Sequence, residues 1–228
     1  MIIAVHIPKT AGTSFRQRMA RSFGSRMLHD YGDSVGLNTP AAETWRAIRM
    51  AKLRARRDEL LRNYDLIYGH FVADKYVGLF PTTHFVGFFR DPYQQILSLY
   101  YFIMRPPVNG YVHPLVQRFR ELRPTLMDFI EAVPNIQSTY LGRISIDDFT
   151  IVGLTEQYER SVVVFETVFD CKLPVDLEHI NVNPHQGGRP YAIEQAVRDA
   201  IDRHSPADVD LYVRARERFS SLAIRFGC

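Results

Sequence analysis

The run Ile2-Ile3-Ala4-Val5-His6-Ile7-Pro8-Lys9-Thr10-Ala11-Gly12-Thr13-Ser14-Phe15 decides how the rest of the chain is read. Ile2 to Ile7 is mostly apolar and reads as a buried strand. Small and turn-forming residues follow, and a helix is expected from about Thr13 to Phe23, ahead of Gly24. A strand that turns directly into a helix aims several backbone N–H groups, and the positive end of the helix dipole, at one point. A phosphate or sulfate oxygen fits there. Lys9 adds a mobile positive charge, while Thr10, Thr13 and Ser14 add hydroxyl donors.

Outward from this run, short β-branched or aromatic segments alternate with helical ones. Strands are expected at Leu66 to Tyr68, Phe85 to Phe89 and Phe149 to Val152. The alternation predicts a single α/β domain over residues 1–228, of P-loop-like type, with a central parallel sheet flanked by helices. In such folds ligands bind beyond the carboxyl ends of the strands. The chain has 228 residues, 46% of them hydrophobic and 23% charged, enough for one sizeable core and short for two.

Between the strands, Ser25 to Pro40 reads as a polar loop and Ala41 to Asn63 as one long helix. That helix is basic through Arg46, Arg49, Lys52, Arg54, Arg56, Arg57 and Arg62. A solvated charged face is its simpler reading, with attraction of an acidic glycan as the other. Pro92 after Asp91 opens a helix to about Met104, stopped by Pro106-Pro107. Two short helices are expected between His113 and Ala132, and another from Asn135 to Leu141. Thr155 is read as the cap of a helix reaching Phe169, and Ser205-Pro206-Ala207-Asp208 as a capping box opening the last helix. Val209, Tyr212, Phe219, Leu222 and Phe226 are its expected core positions. Asn181 to Pro190 is the clearest loop of the second half.

Two further places carry chemistry. In Phe88-Phe89-Arg90-Asp91-Pro92, Arg90 leaves a strand end, where its paired N–H donors suit an anion, and Ser98 follows two turns into the helix. In Leu66-Ile67-Tyr68-Gly69-His70-Phe71 an apolar strand ends at glycine and then His70, the side chain best matched to taking a hydroxyl proton near neutral pH. His6 borders the first loop, where orienting that loop and simple packing are both open.

Taken together, these residues resemble the PAPS-dependent sulfotransferases, PAPS being 3′-phosphoadenosine 5′-phosphosulfate, and especially the carbohydrate branch that includes the heparan sulfate 2-O-sulfotransferases. The resemblance runs in separated motifs from about Ile2 to Phe169. Pro8, Lys9, Thr10, Ala11, Gly12, Thr13 and Ser14 match the family's 5′-phosphosulfate loop, and Arg90 and Ser98 its 3′-phosphate motif. Gln95 stands where related sequences carry an arginine. His70 matches the proposed general base, and the Gly-Gly-Arg run places Arg189 as a further donor contact.

The resemblance therefore implies transfer of a sulfuryl group from PAPS to an acceptor hydroxyl, with carbohydrate the leading class, and with Lys9 and His70 as the catalytic pair. It requires no metal. The competing readings are a nucleotide-dependent kinase and a nucleotide-binding protein without catalysis. The first lacks the G-K-[ST] end of the ordinary nucleoside-triphosphate loop, and the second has no use for a base. No nucleic-acid motif accompanies the basic helix. Two cysteines and eight histidines form no zinc pattern. The N-terminus carries no signal-like segment, so a cytoplasmic location with no stable membrane anchor is expected.

Overall fold

A computed structural model of the chain describes residues 1–31, 33, 35, 40–105, 114–174 and 189–227. Five parallel strands form its sheet in the order β2-β3-β1-β4-β5: β1 Ile2–Val5, β2 Met27–Asp30, β3 Leu66–Gly69, β4 His84–Phe89 and β5 Phe149–Leu154. Helices α1 Gly12–Phe23, α2 Pro40–Ala55, α3 Arg57–Asn63, α4 Pro92–Met104, α5 Pro114–Leu122, α6 Leu126–Ala132, α7 Ile136–Leu141, α8 Tyr158–Phe169, α9 Gln195–His204 and α10 Pro206–Phe226 flank it. This is the expected single-sheet α/β architecture.

The order follows from burial. Strand β1 is central, buried at all four positions and paired on both sides, Val5 with Gly69 and with Gly87. β3 and β4 are likewise buried almost throughout, as strands covered on both faces must be. Phe15, Met19, Phe88, Phe149 and Phe165 fill the main core, and α4, α6 and α9 close a second, smaller cluster around Ile96, Phe129 and Ile201.

The structure departs from the sequence reading in several places. Residues 25–40 are not all loop, because Met27–Asp30 pairs with β3 as an edge strand. The expected single helix over 41–63 is two, parted at Arg56, whose backbone N–H is shared between the carbonyls of Lys52 and Leu53. The strand expected to Ile7 ends at Val5, so His6 and Ile7 already belong to the loop. Thr155 caps nothing. Its hydroxyl donates to Phe89 O, and α8 begins at Tyr158.

Lastly, Ser205 and Asp208 do not form a capping box. Ser205 Oγ accepts from Asn135 N–H, and the buried Asp208 carboxylate accepts from the N–H groups of Gln137 and Ser138 at 2.9 and 2.7 Å, so it caps α7 from another helix. Of the core positions expected on α10, Phe219 and Leu222 are buried, while Val209, Tyr212 and Phe226 are half-buried. Helix α9 has no counterpart among the elements expected from the sequence. Its signal is present in Ile193, Val197, Ala200 and Ile201, at helical spacing.

Candidate functional site

Three adjacent strands, β3, β1 and β4, end side by side and deliver the three groups that the sequence singles out. The middle piece is the loop from His6 to Ala11. Lys9 and Ala11 both adopt left-handed backbone, with φ of 65° and 62°. Such residues cost on the order of 1–3 kcal/mol each and cluster at ligand sites. Alternation of hand along a short stretch turns successive N–H groups toward one concavity, the geometry that receives anions. No described side chain caps α1, so the N–H groups of its first turn lack a side-chain acceptor among the described residues.

The sequence around the loop holds this shape. Thr10, almost fully buried, donates its hydroxyl to Ile7 O at 2.9 Å, which ties the turn from within. Tyr68 OH donates to Gly12 O at 2.6 Å from β3, and Gln95 Nε2 donates to Pro8 O at 2.9 Å from α4. Glycine is required at position 12, because a Cβ there would lie 1.9 Å from the His6 ring. Among the described residues the Thr13 and Ser14 hydroxyls take no protein partner, whereas that of Thr10 is already used.

Lys9 is the electrostatic centre of the loop. Its Nζ lies 4.4 Å from the centroid of the Phe102 ring, and no described carboxylate pairs with it. Burial, then the nearby Arg90 and Arg105 guanidinium groups, bring its pKa down to about 8. Arg90 leaves the end of β4 and donates from Nη1 to Lys9 O at 3.1 Å. Burial also lowers the Arg90 pKa, against the pull of Glu156. The Arg90 backbone is clamped by the buried Gln137 amide, which accepts from Arg90 N–H at 3.0 Å and donates to Arg90 O at 2.8 Å.

Helix α4 completes that side. Asp91 caps it by accepting from Tyr93 and Gln94 N–H, and Pro92 stands at its first position. Gln95, Ser98 and Phe102 follow one another at three- and four-residue spacing, so they share the helix face that meets the loop. The first touches Pro8 O and the last lies under Lys9, which puts Ser98 between the two contacts.

His70 follows the end of β3 on the other side. Gly69 before it is dictated by packing, since a Cβ there would fall 1.7 Å from Asp30 O on β2. His70 Nδ1 is 2.5 Å from His6 O. A carbonyl only accepts, so Nδ1 carries the proton and the lone pair of the neutral ring is on Nε2. The His70 ring stacks on that of His6 with centroids 4.1 Å apart, and meets Tyr31 and Tyr140 edge-on at 5.0 and 6.1 Å.

The structure thus gathers Pro8 to Ser14, Arg90, Ser98 and His70 along one edge of the sheet. Arg189 is exposed, just after the undescribed residues 175–188, and none of the interactions above involves it. Of the loop expected at Asn181 to Pro190, residues 181–188 lie outside the described residues, as do His113, His179, His185 and Cys228. Sequence reading missed Gln95 and Gln137 as braces. Gln95 was legible only as a departure from arginine, and Gln137 carried no signal, because its partner Arg90 is 47 residues away.

No helix among the described residues is long and apolar enough to cross a membrane. Comparison with known protein families finds none that matches the chain, and no curated protein matches it either.

Proposed function

We propose that the chain is a sulfotransferase that moves a sulfuryl group from PAPS to an acceptor hydroxyl, with carbohydrate the leading acceptor class. The observation that carries the reading is Lys9. A partly buried lysine with cationic neighbours and no carboxylate among the described residues, at a left-handed loop before a helix that no described side chain caps, fits an anionic ligand. Arg90 and Ser98 beside that loop suit a second phosphate, and the 3′-phosphate of PAPS supplies one. His70, with its lone pair on Nε2, suits a base that a binding protein alone does not need.

In this reading the acceptor oxygen attacks sulfur in line, forming the new O–S bond. The bond from sulfur to the phosphate oxygen breaks and its electron pair leaves with 3′-phosphoadenosine 5′-phosphate. His70 Nε2 takes the hydroxyl proton. Lys9 and the loop N–H groups stabilise the charge that grows on the departing phosphate.

Thermal unfolding of the chain with 3′-phosphoadenosine 5′-phosphate, ADP or ATP, without magnesium, tests the donor site. Stabilisation is expected to be largest with the 3′-phosphorylated ligand, and preference for ATP would favour the kinase reading instead. Transfer from labelled PAPS to a panel of hydroxyl acceptors then tests the reaction. His70→Ala is expected to lower kcat by about 10²–10⁴-fold while leaving donor binding nearly intact. Normal turnover in that variant removes His70 as base.

A further inference from the structure

The reading above gives His6 no task, yet its side chain joins the two halves of the site. One face of the ring lies on His70, centroids 4.1 Å apart and planes within 22°. Its Cδ2 and Nε2 atoms press on Gly12 so closely that a methyl group there would overlap both. Nδ1 meets the Tyr31 hydroxyl at 3.1 Å, and the main chain is pinned by His6 N–H donating to Gly69 O and by His6 O receiving Nδ1–H of His70. A side chain wedged between the donor loop and the base has little freedom to move without moving one of them.

We propose that His6 is a positioning residue for the sulfuryl transfer: its ring holds the His70 imidazole face-on, with Nε2 presented to the acceptor, and passes the position of the donor loop to the base. The inference rests on the sulfotransferase reading. When His70 takes a proton, the new cation faces a flat, uncharged ring, an arrangement attractive to charge. Burial keeps His6 neutral, with its pKa well below the ordinary histidine value, and the neighbouring His70, Arg16 and Lys9 reinforce this. Tyr31, its other polar partner, is also neutral, its hydroxyl pushed up to about 12 by burial.

The test uses the full chain and four variants: His6→Ala, His6→Phe, His70→Ala and the double His6→Ala/His70→Ala. At saturating PAPS and acceptor, His6→Ala is expected to lower kcat by about 10- to 100-fold, with affinity for 3′-phosphoadenosine 5′-phosphate changed far less. His6→Phe keeps a flat ring against His70 and is expected to recover most of that loss. In the His70→Ala background the His6 substitution is expected to cost nothing further, because it acts through the missing ring. Equal losses in both backgrounds overturn the proposal.

A second measurement does not depend on turnover. Long-range proton–nitrogen correlation spectra of the parent are expected to show His70 as one neutral tautomer with its proton on Nδ1. His6→Ala keeps the main-chain carbonyl that receives Nδ1–H of His70 but removes the stacked ring, so it is expected to shift and broaden the His70 ring resonances, whereas His6→Phe is expected to keep them close to those of the parent. An unchanged His70 signature in His6→Ala overturns the proposal. Should His6→Ala not fold, His6→Asn removes the ring while keeping a partner for Tyr31 and carries the same expectation. If the parent neither binds the 3′-phosphorylated nucleotide nor transfers a sulfuryl group, the sulfotransferase reading fails, and the spectra still decide whether His6 fixes His70.

Discussion

Lys9 and Lys75 are two cations drawn out of water near the carboxyl edge of one sheet, and their surroundings are opposite. Lys75 donates to Asp30 at 2.5 Å and to Asp33 at 2.9 Å, Arg49 binds both carboxylates, and Tyr76 OH donates to Asp30 at 2.7 Å. Burial pushes the Asp30 carboxyl up, but Lys75, Tyr76 and Arg49 outweigh it and hold the pKa below the ordinary value. Two positive charges meet two negative ones. Around Lys9 the charged neighbours are Arg90 and Arg105, and the supporting contacts come from backbone carbonyls, an amide and an aromatic ring.

The difference separates a charge satisfied within the protein from one that, in the proposed reading, awaits an anionic ligand. A buried pair satisfied within the protein fixes how α2 and the turn at 73–76 sit against β2, and asks nothing of a ligand. A cation surrounded by cations raises the energy of the ligand-free protein, and an anion arriving there recovers it. The two regions should therefore respond in opposite ways to loss of their lysines.

Lys75→Met carries the largest expected effect. It leaves Arg49 as the one described cation for Asp30 and Asp33, with the Tyr76 hydroxyl still on Asp30, and should cost about 3–5 kcal/mol of stability in a denaturant titration. A variant as stable as the parent would break the comparison. Lys9→Met should do the reverse. Its stability is expected to hold or rise at neutral pH, while affinity for 3′-phosphoadenosine 5′-phosphate, measured by calorimetry, falls by the equivalent of about 1.5–3 kcal/mol for a charge-assisted hydrogen bond. Loss of stability without loss of affinity would make Lys9 structural.

The comparison sharpens with pH. The folded-state pKa of Lys9, about 8, lies below its ordinary value of 10.5, so the unfolded chain holds the proton more tightly over that interval. The contribution of Lys9 to stability accordingly rises with pH through that interval and is lost as pH falls through about 8. Lys9→Met should flatten this part of the stability profile. Anion binding has the opposite dependence and should weaken by about threefold to tenfold as Lys9 loses its proton above pH 8. The smallest effect is expected for Gln95→Leu. It removes the donor to Pro8 O and should cost about 0.5–1.5 kcal/mol of stability, read from the denaturant midpoint. A larger drop in ligand affinity than in stability would place the brace on the working side of the comparison.

The strands that carry the site were legible because each is a buried apolar run, which permits little besides a covered strand. The edge strand Met27–Asp30 was not. Only Met27 and Asp30 are buried, and its mixed four-residue run is specified by pairing with β3 rather than by its own composition. The break at Arg56 has no glycine or proline to announce it, and the capping of α7 by Asp208 spans 70 residues. Within the candidate site, Pro8 to Ser14, Arg90 and His70 were recognisable from local strand-end chemistry. The braces Gln95 and Gln137 were not, because what defines them is a carbonyl or an amide distant in sequence.

The sequence by itself determined the parallel α/β class, the strand-loop-helix run that can receive an anion, and which cation and which histidine stand at strand ends. Those are local properties: apolar period, turn chemistry and residue type. Only the tertiary structure decided that Lys9 has no carboxylate among the described residues while Lys75 has two, and that His6 lies between Gly12 and His70. The physical reason is that burial and pairing of a charge depend on which distant segments fold against it, and the strand order β2-β3-β1-β4-β5 sets that.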